Sequence, residues 1–207
     1  MLDRERGRRV IAAYHIVFSA YGFWLPNDPR GSGSTYIYSK AIYVVGGPAT
    51  KTNERRSVAH RSHDVTLRKR AKLALAQRPV RFTGIQARAI ARGFAAYFTK
   101  TSIAVHACSI LPDHVHFVIG RTRKNLDQLV VQLKGAAVRQ MIAEQCHPFI
   151  DRPDHRGRLP KCFVRGYWDV YLDPEDIEGR IQYVEENPIK LGMRPQRWSF
   201  VTPYLGT

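Results

Sequence analysis

The stretch LPDHVHFVIG, residues 111–120, places two imidazole side chains one residue apart inside an apolar run. Its β-branched and aromatic residues predict a buried β-strand that follows a short Leu-Pro-Asp turn. Successive side chains of a strand alternate between its two faces, so His114 and His116 are expected to share one face. Two imidazoles on one face can bind a single metal ion, or each ring can be held by hydrogen bonds inside a sheet. The pair alone does not decide between a metal site and two structural histidines.

Periodicity, turn residues and capping residues predict a series of strands and helices around this strand. The predicted elements are a strand over 10–21, a helix over 84–98 capped by Thr83, a strand over 102–110, the histidine strand, a helix that starts at Leu126 after the cap Asn125, a strand over 166–172, and a last helix that starts at Pro174 after Asp173 and stops at Asn187 and Pro188. This order is β-α-β-β-α-β plus one helix, which is the split plan of ferredoxin-like or RRM-like sandwiches. The expected fold is therefore α+β, with an antiparallel sheet and helices on one face.

Two details of this fold are also predicted. The hairpin over 102–120 is expected to supply the central strands of the sheet, so that the histidines lie in mid-sheet. Gly135, in the middle of the predicted helix, is expected to permit close backbone packing, since glycine otherwise costs about 1 kcal/mol there relative to alanine.

The chain has 207 residues and is expected to form one domain, residues 1–207, with a basic insertion at 26–82 after the first strand. The insertion opens with a loop rich in Pro, Gly, Asn, Asp and Ser, which are turn-forming residues. Residues 36–45 of the insertion are strand-like and residues 66–77 are partly helical. No sustained hydrophobic period follows through this region, so the insertion is expected to be weakly fixed.

The charge of the chain is strongly positive and unevenly distributed. Its 33 basic and 17 acidic residues give a net charge of +16, and the first 100 residues hold 19 of the basic but only 5 of the acidic side chains. Such an excess attracts polyanions and predicts contact with nucleic acid, although a merely soluble basic protein is the simpler alternative. The candidate phosphate-binding residues are Arg121, Arg123 and Lys124 after the histidine strand and Arg68, Lys69 and Arg70 in the insertion.

The chain carries no sign of export or membrane insertion. No apolar run approaches the about 20 residues of a membrane span, and the amino terminus lacks the apolar stretch of a secretory signal. Three cysteines without Cys-x-x-Cys spacing argue against a disulfide scaffold or a zinc ribbon. The expected location is the cytoplasm, in association with the nucleoid, and no membrane contact is expected.

A tyrosine and an asparagine on the last helix complete the candidate site. Tyr183 and Asn187 are four residues apart and share one helix face, which could lie over the histidine face of the sheet. Asn187 could instead be an ordinary residue at the helix end, with Asp113 or Glu186 as a substitute ligand. Tyr183 could likewise be a packing residue, and the alternative phenols are Tyr167 and Tyr171. His15 and His106 are assigned to the sheet rather than to a site.

These motifs resemble those of the HUH single-tyrosine transposases, and within them the REP-associated tyrosine transposases. The likeness rests on LPDHVHFVIG, on YVEENP with its Tyr-x-x-x-Asn pair, on YHIVF at 14–18 and on RWSF at 197–200. It covers about residues 10–21 and 83–200. The insertion departs from the compact pattern of the family, although its loop WLPNDPRGS resembles that of a subgroup.

The resemblance implies a metal-dependent single-stranded DNA transposase, or nickase, that cuts and rejoins DNA through a 5′-phosphotyrosine. Tyr183 is then the nucleophile, and His114, His116 and the Asn187 amide oxygen hold Mg²⁺ or Mn²⁺, which suits a mixed nitrogen and oxygen ligand set. The implied partner is single-stranded or hairpin DNA, bound by a monomer or a homodimer.

Two other classes of protein compete with this interpretation. A non-catalytic RRM-like nucleic-acid-binding module has the same element order, but aromatic side chains are expected where this strand has histidines. A zinc amidohydrolase or phosphohydrolase can use His-x-His, but the additional His and Asp ligands of such a site are not evident.

Overall fold

A four-stranded antiparallel sheet forms the centre of the molecule. The computed structural model describes residues 11–52 and 58–206. The strands are β1 (Ala13–Ser19), β2 (Val105–Ile110), β3 (His114–Gly120) and β4 (Trp168–Leu172), in the spatial order β2-β3-β1-β4. Together with the helices between them, they follow the predicted β-α-β-β-α-β plan, and the α+β fold class is confirmed.

The central pair of strands differs from the prediction. β1 and β3 pair in the middle of the sheet, whereas β2 pairs only with β3 and lies at an edge. The hairpin therefore joins an edge strand to a central strand. β1 inserts between β3 and β4, and the local sequence of the hairpin does not reveal this placement. The histidines of β3 still lie in mid-sheet.

Five helices accompany the sheet. They are α1 (Lys40–Gly46), α2 (Val65–Leu73), α3 (Gly84–Thr99), α4 (Leu126–Ala143) and α5 (Ile177–Lys190), with a short 3₁₀ turn at Pro174–Asp176 before α5. Thr83 and Gln86 form a capping box at the start of α3, and Asn125 caps α4 through the amide of Gln128, as predicted.

The end of α5 differs from the prediction. Asn187 and Pro188 do not stop the helix, which continues to Lys190. Proline removes one backbone hydrogen bond from a helix, but Pro188 is buried, and its apolar ring adds to the packing beneath the last turn. Asn187 is consequently held in helical geometry one turn after Tyr183.

Each face of the sheet is covered by different helices. One face carries Ile16, Phe18, Phe117 and Ile119, which pack with α3 and α4 in the main hydrophobic core. The other face is covered by α5, whose Ile177 and Val184 are buried against a smaller set of strand residues: Ala13, Ala107, Val118 and Leu172. The histidines of β3 alternate with the main-core residues, so they lie on the face that α5 covers.

The insertion has a small core of its own, contrary to the expectation that it is weakly fixed. Leu25, Ile42 and Ala71 are buried together where α1 and α2 meet the loop after β1. The segment 36–45 does not form a strand. Its second half is helix α1, because Ser39 accepts a hydrogen bond from the amide of Ile42 and starts a helix there. The predicted helical character of 66–77 is confirmed by α2.

The chain beyond α5 covers the open edge of the sheet. The side chain of Gln196 pairs with both backbone groups of Ile110, at 2.8 and 2.9 Å, and the amide of Thr202 donates to the carbonyl of Val105 at 2.8 Å. Trp198 and Phe200 pack against the main core. Backbone groups at both ends of the β2 edge are thereby bonded within the chain, which helps to protect this edge from pairing with other strands.

The described residues contain no candidate membrane-spanning helix and no disulfide bond. Across 11–52 and 58–206, no helix has the length and apolar character that a bilayer crossing needs. All three cysteines are free thiols, and Cys108 and Cys162 are buried.

The closest approach between α3 and α4 is at Gly93, and not at Gly135 as expected. A Cβ atom at Gly93 would lie 2.6 Å from the carbonyl oxygen of Ala136, whereas at Gly135 it would meet only the mobile end of Arg139, at 3.2 Å. Gly93→Ala should therefore lower the free energy of unfolding by about 1–3 kcal/mol, because it overpacks the helix pair. Urea unfolding followed by circular dichroism measures the change.

The matched control for this prediction is Gly135→Ala in the facing helix. It should raise the free energy of unfolding by up to about 1 kcal/mol, the helix-propensity gain of alanine. Equal effects of the two substitutions would contradict the close approach at Gly93.

Candidate active site

His114 and His116 lie side by side on β3, as predicted, with ring centroids 4.7 Å apart. Each ring uses its Nδ1 atom in a hydrogen bond within the chain. Nδ1 of His114 bonds Oδ1 of Asp113 at 2.7 Å, and Nδ1 of His116 bonds Nε2 of His15 at 3.0 Å. Both Nε2 atoms remain for another partner. A carboxylate on the far nitrogen of a histidine is the usual support for a metal-binding imidazole.

His15 belongs to this cluster, contrary to the expectation that it serves only the sheet. Its ring is nearly coplanar with that of His116, with planes 9° apart and centroids 5.3 Å apart across the ring-to-ring hydrogen bond, and the residue is almost fully buried. Burial, and then the positive charge of Arg180, lowers the pKa of His15 to about 3. Burial also lowers the pKa of His116, so both rings are neutral near pH 7. The register explains the contact, since His15 and His116 are diagonal neighbours on β1 and β3.

The hydrogen bonds around His15 determine which ring nitrogens carry protons. Nη1 of Arg180 lies 3.3 Å from Nδ1 of His15, and a guanidinium can only donate. Nδ1 of His15 therefore accepts, and its Nε2–H donates to Nδ1 of His116. Nε2 of His116 then carries the proton of that ring. A metal bound to Nε2 of His116 would replace the proton there, so that Nδ1 of His116 would carry the proton and donate to Nε2 of His15. Nδ1 of His15 would then carry the proton of its own ring and could no longer accept a hydrogen bond from Arg180.

Tyr183 lies over the same rings. Its centroid is 5.8 Å from that of His116 and 5.9 Å from that of His15, in both cases edge to face. The neighbouring residue Val184 is fully buried against the sheet, which directs the phenol along the sheet surface. Tyr183 is 37% exposed, so the ring can be reached from solvent. Cationic groups of Arg180 and Lys190 lie 5.6 and 5.3 Å from its centroid.

Asn187 lies one turn after Tyr183 and ends in an unsatisfied polar group. Its side-chain amide nitrogen is buried and has no hydrogen-bond partner among the described residues. The two ends of an asparagine amide can exchange places by a flip, so the unpaired position is open to either an oxygen or a nitrogen. The hydroxyl of Ser109, opposite His116 on β2, is also buried and unpaired. Unsatisfied buried groups of this kind mark a place where a further ligand fits.

The residues present fit a divalent metal in their chemistry. Two imidazoles whose Nε2 atoms have no hydrogen-bond partner among the described residues, together with one unpaired amide, form a mixed nitrogen and oxygen set. Within the part of the chain that the structure describes, no three His, Cys, Asp or Glu side chains are grouped so as to hold a metal.

The two alternative ligands, Asp113 and Glu186, already have partners within the chain. Asp113 already bonds His114 and, at 3.1 Å, Arg81. Glu186 pairs with Lys190 at 2.9 Å and with Gln182. His106 lies beside Tyr204, at the opposite end of the sheet from His114.

The alternative phenols are also placed elsewhere. Tyr171 is on the opposite face of β4 from the histidines, against Tyr14. Tyr167 precedes β4, and burial together with the carboxylates of Asp127 and Asp169 raises its pKa to about 12, which suits a proton donor better than a nucleophile. Of the three candidates, only Tyr183 contacts the histidine rings.

The loop that leads from β1 into the insertion reaches the site through Phe23. Its ring is stacked on His114, with centroids 5.0 Å apart and planes 8° from parallel. The next residue, Trp24, carries Arg30 on its ring face at 3.9 Å and donates its indole N–H to the carbonyl of Gly31. Arg30 in turn forms two hydrogen bonds with the buried carboxylate of Asp28, each 2.8 Å long. The loop WLPNDPRGS is therefore a rigid support for the aromatic wall of the site.

The candidate phosphate-binding residues fall into two groups. Arg121, Arg123 and Lys124 follow the far end of β3, about 20 Å or more along the chain from His114, given a rise near 3.3 Å per strand residue. The structure does not bring them to the histidines. Arg68, Lys69 and Arg70 lie on α2, where Arg68 is half-buried and the other two are exposed.

Comparisons with known proteins find similarity only at the level of solved structures, since no family model and no curated protein matches. One similar structure is that of the REP-associated tyrosine transposase bound to a REP hairpin, with 11% identity, a TM-score of 0.45, and coverage of 93% of this chain and 76% of that chain. Another is a protein of Deinococcus radiodurans R1 provisionally assigned as a transposase, with 18% identity, a TM-score of 0.37, and coverage of 90% and 97%.

The buried pair of Asp28 and Arg30 predicts a large effect of one substitution. Arg30→Met leaves the Asp28 carboxylate buried without its partner, which costs about 3–5 kcal/mol. The insertion loop should lose order first, and hydrogen exchange of the Gly31 and Ser32 amides, both bonded within the insertion, measures this loss.

Two controls accompany this prediction. The double variant Asp28→Asn/Arg30→Met removes both charges and should recover part of the lost protection. Arg78→Met removes an exposed arginine and should leave the loop amides unchanged. An unchanged exchange rate in Arg30→Met would show that the ion pair does not hold the loop.

Proposed function

We propose that this protein is a metal-dependent single-stranded DNA transposase or nickase that cleaves and rejoins DNA through a 5′-phosphotyrosine. The observation that supports it is the position of the Tyr183 phenol over the rings of His116 and His15, on a face where β3 also presents His114. A nucleophile next to two metal-binding side chains is the arrangement that phosphodiester transesterification requires.

The metal-binding residues in this proposal are His114, His116 and Asn187. Mg²⁺ or Mn²⁺ bound there would polarise a phosphoryl oxygen and neutralise charge that develops on the phosphate. Asp113 keeps the His114 ring oriented through Nδ1, and His15 does the same for His116.

Tyr183 supplies the nucleophile. Its phenolic oxygen attacks phosphorus, the bond from phosphorus to the 3′ oxygen breaks, and the proton from the phenol is balanced by the one that the new 3′-hydroxyl gains. The chain then holds the 5′ phosphate as a phosphodiester of tyrosine. Attack by another 3′-hydroxyl reverses the step and rejoins the strands, so no external energy source is needed.

The charges around Tyr183 suit this reaction. Arg180 and Lys190 lie on the ring of the nucleophile, where an incoming phosphate brings negative charge. Arg180 can exchange its weak 3.3 Å contact with His15 for a phosphate oxygen, which is a stronger partner. The same exchange would let Nδ1 of His15 carry that ring's proton, so that Nε2 of His15 accepts a hydrogen bond from Nδ1–H of His116, the polarity that a metal on His116 would require.

The proposed partner is unpaired or hairpin DNA, which the net charge of +16 attracts. The phenol and both imidazoles come from one chain, which favours an active site built in cis, and a homodimer is not needed to complete it. The non-catalytic RRM-like alternative is less well supported. The sheet face that such modules use for nucleic acid is covered here by α5, and β3 carries histidines in place of stacking aromatics.

The nucleophile is tested with Tyr183→Phe. Removing one hydroxyl should reduce formation of a covalent protein–DNA adduct by at least about 10³-fold, since the remaining groups cannot replace a nucleophile. A denaturing gel after incubation with single-stranded oligonucleotides and Mn²⁺ measures the adduct. Tyr171→Phe, on the other face of the sheet, is the matched control and should behave like the wild type. A normal adduct yield in Tyr183→Phe would refute the assignment.

Metal binding is tested separately from activity. His15→Phe removes only a residue that supports a ligand and should weaken Mn²⁺ binding by about 10- to 100-fold. His116→Ala removes a proposed ligand itself and should weaken Mn²⁺ binding by at least as much. Paramagnetic resonance of free Mn²⁺ measures the bound fraction without DNA. His106→Phe, remote from the cluster, is the control. Unchanged Mn²⁺ affinity in His116→Ala would place the metal elsewhere.

A further inference from the structure

The insertion contributes two positive side chains to the edge of the histidine cluster. Arg68 and Lys72 are four residues apart on α2 and share one face of that helix. Nζ of Lys72 lies 5.8 Å from the centroid of Phe23, the ring that is stacked on His114. One aromatic side chain therefore separates the ammonium group from the candidate metal ligands.

Among the described residues, neither side chain is joined to a carboxylate in an ion pair. Within the described residues, Lys72 forms no side-chain hydrogen bond or ion pair, and the buried Nε of Arg68 has no hydrogen-bond partner. The two carboxylates in electrostatic range of Lys72 are those of Asp28 and Asp113. Asp28 is committed to Arg30, and Asp113 is committed to His114 and Arg81.

Among the described residues, the local charge is consequently positive and only partly offset. Burial, and then the neighbouring guanidinium of Arg68, lowers the pKa of Lys72, and the two carboxylates offset only part of that effect. Two like charges held together on a half-buried face cost energy unless an anion joins them. A phosphate group accepts hydrogen bonds from both an ammonium and a guanidinium, and its charge removes the repulsion.

We infer that Arg68 and Lys72 form a binding site for a backbone phosphate of single-stranded DNA, beside the phosphate that reacts at His114 and Tyr183. The site deepens the proposed function and rests on it for the identity of the strand. It assigns a role to the insertion, which holds the strand against the aromatic wall formed by Phe23. Among the basic residues of α2, the role of phosphate binding falls to Arg68 and Lys72, because Lys69 and Arg70 are exposed to solvent.

The test measures the salt dependence of DNA binding in a Tyr183→Phe background, where no cleavage occurs. Fluorescence anisotropy of a labelled single-stranded oligonucleotide gives the dissociation constant over a series of KCl concentrations. Each lost phosphate contact should reduce the slope of log K against log salt by about 0.7. Lys72→Met and Arg68→Met should each reduce it by about that amount, and the double variant by about 1.4.

The controls remove the same charge from the same helix. Lys69→Met and Arg70→Met should leave the slope within about 0.2 of the parent value, because exposed side chains form no defined contact. Lys72→Arg keeps the charge and should keep the slope, which separates phosphate binding from damage to the fold. Equal reductions in Lys69→Met and Lys72→Met, or no reduction in Lys72→Met, would overturn the inference.

A second measurement separates this inference from the proposed function. With Tyr183 intact, Lys72→Met should slow adduct formation at subsaturating DNA, and raising the DNA concentration should restore much of the rate. If the wild type forms no adduct while Lys72→Met still flattens the salt slope, the phosphate site stands and the transesterase proposal fails. If the wild type forms an adduct and Lys72→Met changes neither slope nor rate, the phosphate site fails alone.

Discussion

The packing of α5 across one face of the sheet is the constraint on which the candidate site depends. Ile177 and Val184 are buried against strand residues that include two alanines, Ala13 and Ala107, and these small side chains allow the helix to lie close to the sheet. Because Val184 is directed into this contact, the preceding residue is directed sideways along the sheet surface. The phenol of Tyr183 reaches the histidines for that reason, and not through any direct bond to them.

A polar cluster in the middle of a sheet is tolerated because its members satisfy each other. The cluster consists of the buried residues His15 and His116 and the nearly buried His114. Each polar group left unpaired in such a place would cost on the order of 1–3 kcal/mol in lost hydration. The ring-to-ring bond, the Asp113 carboxylate and the stacked Phe23 remove most of that cost. The groups that stay unsatisfied, on Asn187 and Ser109, lie on the same face as the proposed chemistry.

The insertion is structurally joined to this cluster. A buried ion pair holds its first loop, the loop positions Phe23 on His114, and α2 packs on the loop through Ala71. Its charge is therefore not spread at random over the surface. Arg30 neutralises Asp28 inside the loop, whereas Lys72 lies beside Phe23, the ring that is stacked on His114.

The sequence by itself determined the α+β class, the element order, most caps and the pairing of His114 with His116, because these follow from local periodicity and from the alternation of strand side chains. It also singled out Tyr183 and Asn187 through their helical spacing. It did not predict that α5 continues through Pro188, that residues 40–46 form a helix, or that Gly93 is the crossing point of α3 and α4. Only the tertiary structure decided that β1 lies between β3 and β4, and this placement brings His15 onto His116 from a hundred residues away. Contacts of this kind depend on strand order and register, which are set by packing across the whole sheet and leave no pattern within any single segment.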